Sequence, residues 1–227
     1  MTIIVSSGIP KECFTVLERK DRVIRLSTTG ITYDAIAGHP DVFMAPVRNT
    51  LVVAPNLPDQ IKKQIAGHAM KDGSHPVGLH YPGSARYNAA ISDKLLVHNL
   101  KYTDRTLLTL CAGMKTIHVE QGYTRCNLIL FRRNRYITSD PGIHKTLVQQ
   151  GMKGIYVFPE GILLPGYNHG FVGGTCGLSG DEIFFIGSLE QFREGERIRD
   201  FLQSNNYRIT ELYEGPLFDG GSILFQE

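Results

Sequence analysis

Apolar residues in this chain come in short runs, broken at close intervals by glycine, proline, asparagine and aspartate. That rhythm predicts many short strands joined by turns and brief helices. Residues 2–6, TIIVS, read as a buried strand. Gly8-Ile9-Pro10 ends it, and Pro10 suits the first turn of a helix with Cys13, Phe14 and Leu17 at helical spacing. A second strand is expected at 22–27, then a loop to Gly38. From His39 the chain reads as an extended segment (HPDVFMAPV), a turn at Asn49, a strand at 51–54, a helix at 58–65 and a strand at 77–79. The order returns as 87–91, a turn at Ser92-Asp93, a strand at 95–99, a helix at 103–111 and a strand at 116–119. It returns again as 125–131, a turn at Asn134, a strand at 136–140, a helix at 141–150 and a strand at 154–158. A further pass runs through 170–178, a turn at Gly180-Asp181, 183–187, a helix from 189 to about 203, and 207–212. A last strand is expected within 217–225.

Each pass is strand, turn, strand, helix, strand. The last has only its first strand, and residues 2–27 hold the three elements it lacks. The middle strands centre on Ile3, Val52, Leu96, Ile137 and Phe185, about 41 to 49 residues apart. Such a period predicts a radial or stacked array. A unit split between the two ends predicts a closed ring, residues 217–225 pairing against 2–6, with no sheet edge left open at the seam. The alternative is an α/β sandwich whose elements merely alternate, which leaves the split unit to chance.

Composition changes little in this picture. The 227 residues are 42% hydrophobic and 20% charged, with a net charge of +2. This is an ordinary globular balance that points to neither nucleic acid nor an acidic membrane as partner. No apolar run approaches the roughly 18 residues of a membrane helix, and the N-terminus has no basic lead of a signal peptide, so a cytoplasmic chain is expected. Cys13, Cys111, Cys126 and Cys176 lie far apart without CxxC spacing, which predicts reduced thiols, no disulfide framework and no metal. No cofactor motif is present: the run GGTCGLSG lacks the Lys-Ser/Thr ending of a phosphate loop and precedes a strand. The basic cluster Arg132-Arg133-Asn134-Arg135 falls on a hairpin tip and reads as a solvated turn.

The stretch GYNHGFVGGTCGLSGD, Gly166 to Asp181, carries the densest chemistry. Its glycines predict a tight loop or a close backbone approach ahead of a strand. Cys176 lies among amides able to face an oxyanion. Arg125 precedes Cys126 and offers a charge that stabilises a thiolate. Either cysteine is also small enough to be plain core. Cys13 and Cys111, on helical patterns, read as core, and GILLPGYNHG (161–170) as a lid or ordinary packing.

Five strand-strand-helix-strand units with a terminal closure resemble the pentein fold, the five-bladed α/β propeller of arginine deiminases, dimethylarginine hydrolases, amidinotransferases and a non-enzymatic ribosome anti-association factor. The phrases HPDVF, YNAAISDKLLVHN, GYTRCN, ITSDPGI and GYNHGFVGG are similar to a little-characterised bacterial branch. The resemblance implies one pentein-like propeller domain over residues 1–227, of five ββαβ units, and a small guanidino- or amide-type ligand. In the enzymes a cysteine of the last unit attacks the guanidinium carbon, a histidine of the preceding unit moves protons, and acidic residues hold the cation. Here Asp219-Gly220-Gly221 matches the lead of the closing strand, but Ile223, Leu224 and Phe225 stand where the cysteine is expected, and Phe171, Val172 and Gly173 where the histidine is. The departure argues against the usual deiminase arrangement. It leaves three readings: a ligand-binding ring, a hydrolase or transferase working through Cys126 or Cys176, and a protein-interaction ring.

In such a ring the loops entering the first strands converge on one face. This nominates His39, Asp41, Asn88, Arg125, Asn127 and Asp219 as ligand-binding residues around an axial pocket, with Cys176, Cys126 and His169 as catalytic candidates. His169, Asp41 and Asp219 are expected to face one space, although each polar residue is also suited to capping its own strand.

Overall fold

The computed structural model describes residues 1–226. The chain begins with β1 (Thr2–Ser6), α1 (Lys11–Lys20) and β2 (Arg22–Leu26), followed by α2 (Pro40–Phe43), β3 (Met44–Val47), β4 (Thr50–Val53), α3 (Asp59–Ile65) and β5 (Met70–Asp72). Next come β6 (Ala90–Ile91), β7 (Leu95–His98), α4 (Arg105–Leu110) and β8 (Lys115–His118), then α5 (Thr124–Asn127), β9 (Leu128–Phe131), β10 (Arg135–Thr138), α6 (Pro141–Gln149) and β11 (Lys153–Tyr156). The chain closes with β12 (Cys176–Ser179), β13 (Glu182–Phe185), α7 (Gly195–Gln203), β14 (Arg208–Glu211) and β15 (Leu224–Gln226). These strands make five three-stranded sheets, β3-β4-β5, β6-β7-β8, β9-β10-β11, β12-β13-β14 and β15-β1-β2. In each, the middle strand pairs antiparallel with the first and parallel with the third.

The middle strands carry the apolar runs and are buried: β1 throughout, and Leu51 to Val53, Leu95 to His98, Tyr136 to Thr138 and Ile183 to Phe185. A strand covered on both faces has no polar alternation, which is why these segments read as continuous apolar runs. Two of the hairpins turn on residues with positive φ, Arg48 at 53° and the pair Arg133 and Asn134 at 59° and 56°. A residue pair of that kind matches the twist of the strands it joins. The helices cross back over the sheets with one apolar face inward, as with Cys13, Phe14 and Leu17 of α1 and Ile198 and Leu202 of α7. Asp104 and Asp140 cap α4 and α6, accepting from the amides of Thr106 and Ile143.

Pro46, Ile91, Leu130, Leu178 and Phe225, one from each first strand, wall a common cavity. The five sheets therefore surround one axis with their first strands innermost. The ring closes where β15 pairs with β1, Thr2 opposite Gln226 and Ile4 opposite Leu224.

Three expectations are corrected. The third strand of the His39 unit is Met70–Asp72, not 77–79; it is exposed along its length, so it carries no apolar pattern, whereas Val77 is buried from a loop. The closing pairing is confined to 224–226, and 217–223 is loop joined to the 161–170 segment by a bridge between Leu163 and Phe218. The extended entries to three first strands are helical turns: α2, α5 and the 3-10 turn at Val172–Thr175. These turns place the chemistry, because they tuck polar side chains under the ring instead of alternating them along a strand.

Candidate functional site

The turns entering β3, β9 and β12 and the loop entering β15 meet at the axis. Pro40 at the first position of α2 sets that turn, with His39 before it and Asp41 inside it. The amide of Asp41 donates to the carbonyl of Gly221 at 3.2 Å, which ties α2 to the closing loop. Gly221 has φ of +70°, and a Cβ there would overlap the His39 side chain. Gly174 lies against the Asp219 carboxylate so closely that a Cβ would overlap it. Both positions need glycine for the close approach.

Within this layer the Cys126 thiol donates to Asp41 Oδ2 at 3.0 Å. Ser222 Oγ lies 2.7 Å from the same oxygen and 3.0 Å from the Gly173 carbonyl. Asn88 clamps the cysteine from the third direction: its Oδ1 accepts from the Cys126 amide, and its Nδ2 lies 3.1 Å from Sγ. Asp219 accepts from the amides of Phe171 and Gly221 at 2.9 and 3.1 Å. His39 Nδ1 stands 3.9 Å from Asp219 Oδ1, an ion-pair distance if the imidazole is charged but too long for a hydrogen bond. Nδ1 of His39 and Oδ1 of Asp41 are buried without a hydrogen-bond partner. Unpartnered polar atoms in a buried cluster mark a place built for something more than packing.

The electrostatics follow from burial and crowding. Desolvation first, then the Asp41 and Asp219 charges, push the Cys126 thiol well above its ordinary range. Burial raises Asp219 to about 6; His39 and the two amides pull it down, while Asp41 raises it further. The resting layer therefore holds a protonated thiol beside a carboxyl that burial raises to about 6.

Above it is a cavity of about 140 Å³ with His39, Cys126 and Asp219 at its floor. Its walls are aromatic and aliphatic, with Tyr33, Tyr123, Phe171, Ile36 and Val42, and Leu164, Tyr167 and His169 of the 161–170 loop line it as well. Tyr123 is fixed by hydroxyl contacts to Tyr33 at 2.9 Å and Ser84 at 2.6 Å. His39 Nδ1 or Nε2, Cys126 Sγ and an Asp219 oxygen lie within 4.8 Å of one another, a donor set that suits a soft divalent ion. Aromatic faces over buried carboxylates suit a flat organic cation equally well.

The residues nominated from sequence divide three ways. His39, Cys126, His169 and Asp219 line the cavity, and Asp41 and Asn88 support the thiol from beneath. Cys176 does not reach it: it is fully buried, with Sγ against the carbonyls of Val172 and Gly173, and burial raises its thiol to about 12. Asn127 points away, donating to the Tyr123 carbonyl and accepting from Ser139 Oγ, so it braces α5. Arg125 faces a separate cavity of the ring. Sequence reasoning missed Ser222, Tyr33, Tyr123, Tyr167 and Phe171. A signal for two of the tyrosines was present, since Gly122-Tyr123 and Gly166-Tyr167 repeat one dipeptide shortly before successive first strands.

The model of a family of unknown function (DUF6873) matches residues 4–224, and the chain belongs to that family. No curated protein matches the sequence. Among solved structures the chain is similar to the amidinotransferase SxtG of the Microseira wollei saxitoxin pathway, with a TM-score of 0.57 at 10% identity over 92% of this chain and 87% of the other. It is also similar to the dimethylarginine dimethylaminohydrolase of Pseudomonas aeruginosa complexed with citrulline (TM-score 0.53, 9% identity, 92% and 91% covered). A third is the agmatine deiminase of C. jejuni (TM-score 0.54, 9% identity, 93% and 74% covered). The fold is that of the pentein superfamily, a five-bladed α/β propeller. No described helix is long and apolar enough to cross a membrane.

Proposed function

We propose that this pentein-fold chain binds a small guanidino- or amidine-type cation in the aromatic cavity and cleaves one of its C–N bonds through Cys126. One observation carries the reading: a thiol, an imidazole with a free nitrogen and a buried carboxyl share the floor of a cavity walled by tyrosine and phenylalanine. A planar cation lies favourably between aromatic faces, and its N–H groups have a carboxylate acceptor in Asp219. Its charge also reverses the local balance. A cation beside Cys126 offsets the two carboxylates that hold the thiol protonated, so the thiolate forms where the substrate is bound.

The chemistry is then addition and elimination. The thiol proton passes to His39 as Sγ bonds to the guanidinium carbon, the C–N bond to the leaving amine breaks, and His39 hands that same proton to the amine. The S-linked amidine is released by water in a hydrolase or by a second amine in a transferase, returning the thiol. The enzymes of similar fold act on guanidino groups, which makes this the natural chemistry to test first.

The test is a panel of arginine, agmatine, methylated arginines and simple alkylguanidines, scored for ammonia or amine release and, by intact mass, for an adduct on Cys126. Turnover or an adduct that disappears in Cys126→Ser supports the reading. Neither product nor adduct across the panel, or activity that survives Cys126→Ser, overturns it. A second reading, binding without reaction, is favoured by the hydrogen bond to Asp41, which holds the proton on the Cys126 thiol. It predicts saturable binding of the same cations with no adduct.

A further inference from the structure

The ring contains another cavity that this reading does not use. Its walls are the side chains that the five first strands turn toward the axis, Pro46, Ile91, Leu130, Leu178 and Phe225, and its volume is about 170 Å³. The aromatic cavity is lined from the loops and turns that enter the strands, whereas this one is lined mostly from the strands themselves, with Arg125 of α5 added. The two spaces therefore lie at successive levels of one axis, with the layer of Cys126, Asp41, Asn88 and Ser222 between them.

Arg125 is the one charged residue among the described residues that line this funnel. It stands on α5 immediately before Cys126, and the same turn gives the thiol to the aromatic cavity and Arg125 to this one. Among the described residues its side chain has neither an ion pair nor a hydrogen bond, although the residue is partly buried. Its field reaches the axis: it acts on the buried thiol of Cys176, which precedes Leu178 by two residues on the same strand face. A half-buried guanidinium among aliphatic walls has lost part of its hydration, and five fixed donors remain to be satisfied.

We propose that this funnel is a binding site for a small monocarboxylate with an apolar body, its carboxylate paired with Arg125 and its body against Leu130, Leu178 and Phe225. The planar fork of arginine matches a carboxylate in two parallel hydrogen bonds. One guanidinium balances one negative charge. A phosphate dianion would bring a second charge into apolar walls with nothing to offset it. The aliphatic and aromatic side chains favour a ligand that covers them over a bare inorganic ion.

Titration calorimetry with benzoate and hexanoate as probes tests this, with benzamide as the neutral isostere and inorganic phosphate as the bare anion. The expected result is saturable benzoate binding at least about tenfold tighter than benzamide or phosphate. Arg125→Gln removes that preference, and Leu130→Trp, which fills the funnel and leaves the arginine in place, abolishes binding. His39→Ala leaves it intact, which separates this site from the aromatic cavity. Equal affinity for benzoate and benzamide, tighter binding of phosphate, no probe binding at millimolar concentration, or binding unchanged in Leu130→Trp would each overturn the proposal. If Arg125→Gln does not fold, Leu130→Trp and the ligand comparison decide by themselves.

Discussion

The Cys126 thiol and the Asp41 carboxylate, 85 residues apart in sequence, share a buried hydrogen bond of 3.0 Å at the axis of the ring. The carboxylate accepts a hydrogen bond from the thiol, so removing the thiol proton would place two negative charges side by side. Desolvation and this pairing together hold the thiol well above its usual range. Wild-type Cys126 should therefore alkylate far more slowly at pH 7.5 than a free peptide cysteine. Asp41→Asn removes the adjacent charge and should speed the reaction about tenfold for each unit by which the thiol falls. Site-resolved mass spectrometry of iodoacetamide labelling over a pH series measures this. A wild-type Cys126 that reacts as fast as a free thiol would show that the pairing does not hold in solution.

Asp219 supplies a second, separable pH dependence. Its folded value is about 6, above the roughly 3.9 of an unfolded chain. Between those values the folded state binds the extra proton, so this group's stabilising contribution is present below about 4 and is lost as pH rises through 6. The difference amounts to roughly 2–3 kcal/mol. Other carboxylates shift the opposite way, Asp21 and Asp181 among them, so the comparison must be made against Asp219→Asn. Denaturant unfolding at intervals from pH 4 to 7 should show wild type losing stability relative to the variant as pH rises. Parallel curves would place the Asp219 titration elsewhere.

Much of the ring was legible in the sequence because middle strands such as Leu51–Val53 and Ile183–Phe185 are buried on both faces and read as apolar runs. Burial of that kind leaves a record at every position. The edge strand Met70–Asp72 leaves none, being exposed throughout, and the apolar Val77 drew the expected strand to the wrong place. The site was legible as a set of slots but not as a set of orientations. His39, Asp41, Cys126 and Asp219 all enter first strands, yet Arg125, Cys126 and Asn127 are consecutive, and one helical turn sends them in three directions: to the lower funnel, to the cavity floor and to a backbone carbonyl. About 100° of rotation per residue separates them. An extended reading cannot distinguish the three, and the turn has no apolar period of its own to reveal it.

Gly174 shows how tightly the layer is built. A Cβ there would overlap the carboxylate of Asp219, which the amides of Phe171 and Gly221 hold in place. Gly174→Ala should cost about 2–4 kcal/mol, in the range of an overpacked core combined with a displaced buried charge. Gly67→Ala is the control, since nothing lies within 4 Å of a Cβ at that position and its φ is ordinary. Chemical denaturation of both variants beside wild type checks this, and equal stability of the two would show that the layer yields easily.

The charge state of Asp219 should also govern ligand binding. A guanidinium entering the cavity is best received by an ionised carboxylate, but in the free chain burial and the neighbouring Asp41 keep that carboxyl half-protonated near pH 6. Binding a cation must then expel the proton below that pH and need expel none well above it. The affinity for methylguanidine should rise as pH is raised from 5 to 7 and then level off. About one proton should be released per ligand at pH 5, falling towards none at pH 8. Cys126→Ser is the form to use, because it prevents turnover and removes the thiol as a second source of protons. Calorimetry in two buffers of different ionisation enthalpy counts the protons directly. Tyr167→Ala, which opens the aromatic wall, should weaken binding about threefold to thirtyfold at every pH without moving the midpoint, whereas Asp219→Asn should remove the midpoint. If proton release is absent in the Cys126→Ser form, or persists unchanged in the Asp219→Asn variant, the cation is received by some other group.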